Sequence, residues 1–455
     1  MNSRLLITLS VFLFLATGTF IAIRWAQGYR FNMSKKVIEG TGLLVANSEP
    51  KGASVFIDDK LRSATDDTLH LPPGQYKIRL EKEGYHTWEK TLQVEKELVT
   101  QTNAKLFPAV PNLSALTVNG AFDAHPSPDG NRIAFKTASG SARTKHGIWV
   151  LNLNDSPLKL GSTAIQIAQD TDSIKFSEAQ IFWTPNSSEI LAYFNENRAY
   201  LLNATTQNKS QNLINVAFQL PMLISEWQQQ LGLEREKRIA KLPLEMQKIA
   251  TESATLLYFS PNEEKLLYTA TESATIPQNL IPPLPAVNSQ PQTRELTSGS
   301  IYVYDLKEDT NFLLKADAFD NEALEKIITT YSLPEEVLND TLPTSTAFPA
   351  ITPTPKTAGV PQSILSKLQG VQAQYSPVYS LKYLQWFPNS SHLIYVEKNG
   401  ISIMEYDGTN KVTVFPGVFA EDFTYPWPNG QKLVLLTSLT TNPEIMVNFY
   451  SLNLQ

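Results

Sequence analysis

The chain contains no cysteine among its 455 residues. This absence excludes a disulfide framework, a thiolate metal site and a cysteine nucleophile, although it does not identify the compartment. Histidine is also scarce, and no two histidines have the four-residue spacing of a helical metal site. The five histidines are His70, His86, His125, His146 and His392. We therefore expect turn or surface histidines rather than metal ligands.

The sequence motifs of common enzyme classes are missing as well. There is no G-x-S-x-G nucleophile elbow, P-loop, dinucleotide-binding glycine fingerprint or H-E-x-x-H pair. Three acidic pairs occur in polar, turn-like sequence: Asp58-Asp59, Asp66-Asp67 and Asp170 with Asp172. These pairs lack the glycine and the spacing of a calcium loop. We assign no catalytic, cofactor-binding or metal-ligating residue, and we expect no enzyme activity and no cofactor.

Charge is also limited. The 38 basic and 44 acidic residues give a net charge of −6, and no long basic block occurs. Nucleic acid is therefore not an expected partner, because neutralising its phosphates requires clustered lysine and arginine. Hydrophobic residues make up 42% of the chain, which is enough to bury real cores, and this length suits two or three domains.

The first long feature that is present is an uncharged, mostly apolar run from Leu5 to Ile23. A helix over this run spans a bilayer core of about 30 Å. A cleaved signal peptide is one alternative, but the small-x-small triplet Ala16-Thr17-Gly18 lies inside the run. A buried soluble helix is another, which the interfacial aromatic residues after the run disfavour. We predict an uncleaved, single-pass membrane anchor over residues 1–24 and a juxtamembrane linker over residues 25–40.

The flanking charges do not decide the orientation of this anchor. Arg4 precedes the run, whereas Arg24, Arg30, Lys35 and Lys36 follow it. The positive-inside rule alone would therefore place the large C-terminal part in the cytoplasm. Long domains, however, translocate largely regardless of flanking charge. We expect the bulk of the chain to be extracytoplasmic, with a cytoplasm-facing interaction platform as the alternative.

Residues 41–107 read as short strands separated by turn residues, and Tyr76 to Leu80 alternates cleanly between apolar and polar positions. Three motifs occur in this region: S-x-P-x-G-A-x-V-x-I-D from Ser48 to Asp58, L-P-P-G-x-Y from Leu71 to Tyr76, and E-G-Y from Glu83 to Tyr85. They resemble the PEGA domain, with Lys51 where the family name has glutamate. Residues 62–68 lack the glycine and Thr-Pro that often occur there. The resemblance implies a small β-sandwich, usually found on bacterial envelope or surface proteins, without catalysis. We call residues 41–107 the PEGA-like module.

One turn type recurs five times in the rest of the chain. The five sites are Pro128-Asp129, Pro185-Asn186, Pro261-Asn262, Pro388-Asn389 and Pro428-Asn429. Proline presets φ at the second position of a type I turn, and aspartate or asparagine suits the third. In every case the residues five to seven positions after proline are apolar. Such a continuous apolar triplet is typical of a strand that is buried on both faces.

Repeated sheets of this kind predict a β-propeller over residues 108–455. Only the interval from Pro388 to Pro428 matches the length of a bare blade, about 40–45 residues, so the other intervals require insertions. We predict a helical insertion over residues 219–252 and an insertion with a mobile linker over residues 321–378. Five blades are visible, and a sixth would lie in residues 273–320 or be completed by residues near 107–120.

The Ser-Pro-Asp-Gly turn at residues 127–130, with its apolar strand, resembles the repeats of TolB-type propellers. The order of anchor, PEGA-like module, Leu106-Phe107-Pro108, repeats and Trp386-Phe387-Pro388 resembles a family of bacterial PEGA-domain proteins. The resemblance implies a mostly β fold with an N-terminal transmembrane helix, a small PEGA-type β-sandwich and an irregular propeller with helical insertions. It leaves the activity open.

Three tryptophans lie beside the repeated turns: Trp183, Trp386 and Trp427. Equivalent positions would repeat around the propeller axis and could present an aromatic ligand surface. Packing between blades is the alternative and the favoured interpretation, since aromatic side chains dominate such cores. The helical insertion at 219–252 is a second candidate contact surface, with packing on the propeller as the equal alternative.

Together these features indicate a membrane-anchored binding or scaffold protein of the cell envelope. Its propeller would dock envelope proteins or cell-wall glycan, and its N-terminal helix would be the membrane contact. One alternative is a glycan- or peptide-processing enzyme whose carboxylates come from distant blades. Such a site would show paired carboxylates with raised pKa values in a deep pocket.

Overall fold

A computed structural model describes most of the chain. The described residues are 3–26, 29–32, 37–138, 143–154, 164–284, 288–316, 318–319, 322, 363–375, 383–397, 400–417, 419–420, 423–438 and 446–455. The predicted linker at 321–378 therefore lies outside the described residues, except for residue 322 and residues 363–375.

The N-terminal run forms helix α1 (Ser3–Ala26), which is followed by a hairpin of β1 (Tyr29–Asn32) and β2 (Val37–Gly40). Residues Ile7–Arg24 are long and apolar enough to cross a membrane, and none of them is buried against the rest of the chain. An apolar helix that is exposed to this extent does not serve a soluble core. It fits the predicted membrane anchor.

The PEGA-like module is a pair of packed sheets. Its strands are β3 (Gly42–Ala46), β4 (Ser48–Glu49), β5 (Ser54–Ile57), β6 (Lys60–Ala64), β7 (Asp67–Leu71), β8 (Gly74–Glu81), β9 (Trp88–Val94), β10 (Val99–Gln101) and β11 (Ala104–Lys105). One sheet has the order β6-β5-β8-β9 and the other β10-β3-β7, and β11 pairs with β4. The alternation predicted from the sequence places Ile78 and Leu80 of β8 in the core, against Val55 and Leu44. The expected β-sandwich is confirmed.

Most of the remaining strands form five antiparallel sheets of three or four strands. Sheet 1 contains β13 (Phe122–Pro126), β14 (Arg132–Thr137), β15 (Gly147–Asn152) and β16 (Ala164–Gln169). Sheet 2 contains β17 (Gln180–Trp183), β18 (Glu189–Asn195) and β19 (Arg198–Asn203). Sheet 3 contains β20 (Ala254–Phe259), β21 (Lys265–Ala270), β24 (Ile301–Asp305) and β25 (Thr310–Lys315). A short pair, β22 (Ala274–Thr275) with β23 (Glu295–Leu296), lies between β21 and β24.

The last two sheets close the chain on itself. Sheet 4 contains β26 (Leu384–Trp386), β27 (His392–Glu397), β28 (Gly400–Glu405) and β29 (Val412–Pro416). Sheet 5 contains β30 (Thr424–Pro426), β31 (Lys432–Thr437), β32 (Asn448–Asn453) and, as its fourth strand, β12 (Leu113–Ala115). The first strand after the PEGA-like module thus pairs with the last strand of the chain. Closure of this kind removes a free sheet edge, as propellers require.

All five predicted turns have one geometry. In each, the amide two positions after proline donates to the carbonyl one position before it, as Gly130 does to Ser127 at 2.9 Å. The residue that donates has a positive φ in every turn: Gly130, Ser187, Glu263, Ser390 and Gly430. Each turn joins the first strand of a sheet to a second strand that is buried on both faces. The turn and the apolar triplet therefore predict the local structure correctly.

Buried clusters join neighbouring sheets into a ring. Separate clusters connect sheet 5 to sheet 1, sheet 1 to sheet 2, sheet 3 to sheet 4, and sheet 4 to sheet 5. Between sheets 2 and 3 the space is filled by three helices, α2 (Leu220–Ile239), α3 (Leu244–Glu252) and α4 (Ile364–Tyr375). Helices α2 and α4 pack on sheet 2, and α3 packs on sheet 3. The mostly β propeller with helical insertions is confirmed.

In the described residues of the propeller region, five sheets have three or four strands, and no sixth blade is present. Residues 273–320 supply the pair β22–β23 and the outer half of sheet 3, and residues 113–115 complete sheet 5. Both regions considered for a sixth blade are therefore used in other sheets. The helices take the place that a further sheet would occupy between sheets 2 and 3.

Candidate functional site

The three tryptophans singled out in the sequence are buried. Trp183, Trp386 and Trp427 expose 1%, 2% and 5% of their surface. They lie in the clusters that join neighbouring sheets, where a ligand cannot reach them. Their burial does not fit an aromatic ligand surface. It fits packing between blades, which is the interpretation that the sequence favoured.

Two of these tryptophans make the same pair of contacts between sheets. The Trp183 Nε1 donates to the carbonyl of His125 on the first strand of sheet 1, at 2.8 Å. Trp386 Nε1 donates in the same way to Tyr258 of sheet 3, at 2.9 Å. At both junctions a serine of the later turn also accepts the amide of the earlier turn. The residues of the repeated turn motif thus also form the hydrogen bonds that join neighbouring blades at these two junctions.

Trp427 does not belong to this set. It immediately precedes its proline, whereas Trp183 and Trp386 stand two positions before theirs. A shift of one residue turns a strand side chain to the opposite face. Accordingly, Trp427 packs toward sheet 1, the following sheet in the ring, and its Nε1 has no hydrogen-bond partner among the described residues.

The strand order gives the propeller two different ends. Because neighbouring strands are antiparallel, the proline turns and the connections from third to fourth strand share one end of every sheet. We call this the turn end. The connections from second to third strand, and those from one sheet to the next, begin at the opposite end, which we call the open end. The two ends carry different features of the molecule.

The PEGA-like module binds to the turn end through its edge strand β9. The ammonium of Lys90 lies 2.6 Å from Glu405 Oε2 and 2.5 Å from Asp407 Oδ2, at the hairpin that ends β28. Trp88 Nε1 also donates to Glu405, and the Glu89 amide donates to Asn410 Oδ1 at 2.9 Å. These side-chain contacts cover the free edge of β9 without adding a strand to it.

The ion pair of Lys90 at this junction is buried. The Lys90 side chain is 7% exposed and that of Asp407 is fully buried. Burial alone would lower the pKa of Lys90, but Glu405 and Asp407 outweigh that effect and raise it. Burial likewise would raise the pKa of Asp407, but Lys90 and Asn288 lower it. The ion pair is therefore charged at neutral pH and fixes the module to the propeller.

An aromatic contact completes the junction. Phe107, the last residue of the PEGA-like module, is buried with sheets 4 and 5. Its ring lies 5.9 Å from that of Phe387 and 5.5 Å from the imidazole of His392. Burial lowers the pKa of His392 to about 4; Glu405 opposes this shift, and Lys105 adds to it. The buried imidazole is therefore neutral at pH 7.

The burial of His392 predicts a pH-dependent stability. An unfolded histidine has a pKa of about 6.5, so between pH 6.5 and 4 the unfolded chain binds a proton that the folded chain does not. Stability should therefore fall as the pH is lowered through this window, by at most about 3 kcal/mol. Denaturant titrations of the full chain at pH 7 and 5 measure the effect. His392→Gln should flatten the dependence, whereas the exposed His70→Gln should not; equal slopes in all three proteins would contradict it.

The open end carries a polar cleft of about 580 Å³ between sheets 1 and 2. Residues just before β15 and residues between β16 and β17 supply its walls. Its basic residues are Arg143, His146 and Lys175, and its acidic residues are Asp170, Asp172 and Glu178. Both signs of charge thus face one cavity, and no tryptophan, tyrosine or phenylalanine is among its described lining residues.

The three acidic pairs noted in the sequence lie in different parts of the structure. Asp170 is part of the cleft, where its carboxylate accepts the amide of Ser177 at 2.9 Å and the hydroxyl at 2.6 Å. Asp58 accepts the Lys77 amide in a turn of the PEGA-like module, and Asp66 pairs with Lys51. The described residues contain no group of three potential ligands that could hold a metal ion.

A partly buried charge cluster near the cleft was not predicted. Asp123, which has a positive φ in a bulge of β13, contacts His125 and Lys136 at 2.8 Å each. Burial opposes ionisation of Asp123, but His125 and Lys136 outweigh it and hold its pKa far below the usual range. Lys136 also donates to the carbonyl of Ala179, beside the cleft. No sequence signal joins these residues, because the bulge brings them together.

The helical insertion exposes apolar side chains at its start. Phe218 and Met222 are 84% and 58% exposed, and neighbouring Ile214 is 75% exposed. The opposite face of α2 buries Ile224 and Trp227 against sheet 2. The insertion therefore packs on the propeller and presents an apolar surface outward, so both roles considered for it are compatible.

Comparisons with known proteins agree with the N-terminal assignment. The family model of the PEGA domain matches residues 41–109, so the chain contains a PEGA domain. No curated protein matches the chain.

Several solved structures are similar to this chain at low identity. They are a TolB-type protein from Agrobacterium tumefaciens (11% identity, 73% of each chain, TM-score 0.19), TolB from Acinetobacter baumannii (10%, 83% of this chain and 59% of that one, TM-score 0.19), and an oligogalacturonate lyase in complex with manganese (10%, 91% of each, TM-score 0.20). The propeller assignment rests on the sheets and their closure.

Proposed function

We propose that this chain is a membrane-anchored, extracytoplasmic binding or scaffold protein that docks envelope proteins or cell-wall glycan without catalysing a reaction. The PEGA domain, the apolar N-terminal helix and the absence of catalytic sequence motifs support this proposal. The partner would bind at the open end of the propeller.

The observation that carries the proposal is the junction between the PEGA-like module and the turn end. The buried ion pair of Lys90 with Glu405 and Asp407 holds the module, and therefore the anchor, to one end of the propeller. The cleft lies at the other end, where neither the module nor the anchor obstructs it. A scaffold needs such an arrangement, in which one end is fixed and the other is accessible.

The lining of the cleft favours a protein partner over a glycan. Sugar rings are commonly held by stacking on aromatic side chains, and the described lining has none of the large ones. Arg143 and Lys175 instead share the lining of the cavity with Asp172 and Glu178. A peptide segment with side chains of both signs matches this pattern by charge complementarity. Glycan binding remains the second outcome of the test.

Reversing a cleft charge should reduce binding and leave the fold intact. Lys175→Glu is expected to lower capture of the partner about tenfold, because like charges across an interface repel. The full chain in detergent is incubated with two separate fractions, solubilised envelope proteins and purified cell wall. Thermal unfolding of each variant checks its stability, which should not change because Lys175 is exposed.

Lys209→Glu, at another exposed lysine of the propeller outside the cleft, is the matched control. It should bind like the unaltered chain. Loss of capture from the protein fraction alone supports a protein partner, and loss from the wall fraction alone supports a glycan. If neither fraction gives capture that depends on Lys175, the open end is not the binding surface.

A cytoplasm-facing platform is the second candidate, and the basic residues that follow α1 favour it. Arg24, Arg30, Lys35 and Lys36 outnumber Arg4 on the other side of the helix. In that orientation the same cleft would face cytoplasmic proteins, and cell-wall glycan would be excluded as a ligand. The orientation measurement that closes the Discussion separates the two candidates.

A further inference from the structure

The end of the membrane helix contacts the PEGA-like module through one aromatic ring. The Arg24 guanidinium lies 4.7 Å from the centre of the Tyr29 ring, and the Lys96 ammonium lies 5.0 Å from it. The Tyr29 hydroxyl donates to Glu97 Oε1 at 2.8 Å. Lys96 and Glu97 belong to the turn between β9 and β10. A residue far along the chain is thereby held at the exit of the helix.

This contact fixes the depth of Lys96 relative to the membrane. The apolar segment of α1 ends at Arg24, so Arg24 lies at the boundary between hydrocarbon and headgroups. Tyrosine also prefers this boundary. Lys96 contacts the same ring and packs closely against Gly40, where an added Cβ would lie 2.5 Å from its Cε. Its ammonium is therefore placed at the level of the lipid headgroups.

The sequence next to this contact is rich in basic residues. Residues 1–38 contain no aspartate or glutamate, and Arg30, Lys35 and Lys36 follow Arg24 in the sequence. These four basic residues and Lys96 outnumber the nearby acidic residues, which are Glu39, Glu95 and Glu97. Lys96 lies 3.7 Å from Glu97, and half of its side chain is exposed. The Lys96 ammonium therefore remains accessible at headgroup level.

We propose that Arg24 and Lys96, both held against the Tyr29 ring, bind the phosphate of an anionic phospholipid. The two cations repel each other, Glu97 offsets only one positive charge, and a phosphate would neutralise the other. Guanidinium and ammonium groups are the usual partners of phosphate in proteins. The PEGA-like module thus lies on the bilayer surface and contributes a cation to it. The site works in the same way on either side of the membrane.

Lipid retention by the purified full chain tests this site. The protein in neutral detergent is offered phosphatidylglycerol or phosphatidylcholine, and bound lipid is counted by native mass spectrometry. Near a membrane surface each basic residue contributes about 1 kcal/mol, which is about a fivefold change in affinity. Lys96→Gln and Arg24→Gln should each reduce retention of phosphatidylglycerol about fivefold, and Lys96→Arg should preserve it. Retention of phosphatidylcholine should change little.

Lys60→Gln, at an exposed lysine of the same module, is the matched control and should retain lipid like the unaltered chain. Thermal unfolding of each variant checks that its stability is unchanged. Lys96→Arg keeps the charge and so distinguishes the loss of a charge from a disturbed turn. Equal retention in Lys96→Gln and Lys60→Gln would overturn the proposal. Displacement of the lipid by excess inorganic phosphate would also overturn it, since the site would then bind free phosphate rather than a bilayer lipid.

Discussion

Lys90→Met should lower the free energy of unfolding by about 3–5 kcal/mol, because removing one partner leaves buried charges uncompensated. The substitution keeps the length of the side chain but leaves Glu405 and Asp407 without their cation. Denaturant titration of the full chain in detergent measures the loss. In the Lys90→Met protein we also expect the module and the propeller to unfold in separate transitions, because the ion pair that joins them is lost.

Lys77→Met in the neighbouring strand β8 is the matched control. Lys77 pairs with Glu89 at 3.1 Å, but its side chain is 43% exposed, so this loss should be at most about 1 kcal/mol. Adding Glu405→Gln and Asp407→Asn to Lys90→Met should recover part of the stability, since the unpaired charges are then gone. A Lys90→Met protein as stable as the Lys77→Met protein would show that the junction does not depend on the ion pair.

Trp183→Ala should cost about 3–5 kcal/mol, the range for removing a large aromatic side chain from a core. Trp183 is 1% exposed between sheets 1 and 2, so its removal leaves a cavity at the junction of two blades. Trp183→Phe keeps most of the ring but loses the donor to the His125 carbonyl. It should cost less, although the lost hydrogen bond and the smaller ring both contribute. Thermal and denaturant unfolding measure both variants.

Phe218→Ala provides the comparison at an exposed aromatic residue. Phe218 is 84% exposed on the helical insertion, and its truncation should change stability by no more than about 0.5 kcal/mol. The ranking Trp183→Ala, Trp183→Phe, Phe218→Ala is the expected order of destabilisation. If Trp183→Ala leaves stability unchanged but abolishes partner binding, the packing role of this tryptophan is wrong.

Local patterns allowed much of the fold to be predicted from the sequence. Proline sets the turn, the residue after it suits the third turn position, and the apolar triplet identifies the strand buried on both faces. The alternation in β8 likewise predicts which side chains face the core of the module. These signals act over a few residues, so they survive in the sequence without knowledge of the tertiary fold.

The features that depend on distant residues could not be predicted. Lys90 and Asp407 are far apart in the sequence, and nothing in either local pattern indicates the other. The difference between Trp427 and the other two tryptophans is one residue of register, which becomes clear only when the packing partners are known. The cleft is formed by two connections that meet because sheets 1 and 2 are neighbours.

The orientation of the propeller is the central claim, and single-cysteine labelling tests it most directly. Because the chain has no cysteine, Glu196→Cys, in the exposed turn between β18 and β19 at the open end, supplies the one reactive thiol. Spheroplasts carrying this variant are treated with a membrane-impermeant maleimide before or after lysis. Ser3→Cys, at the N-terminal end of α1 and so on the other side of the membrane, should give the opposite pattern.

The account predicts that Glu196→Cys is labelled in intact spheroplasts and that Ser3→Cys is labelled only after lysis. This result would place the open end and its cleft outside the membrane, where envelope proteins and cell-wall glycan can reach them. Labelling of Glu196→Cys only after lysis would contradict the envelope function and identify the propeller as a cytoplasm-facing platform.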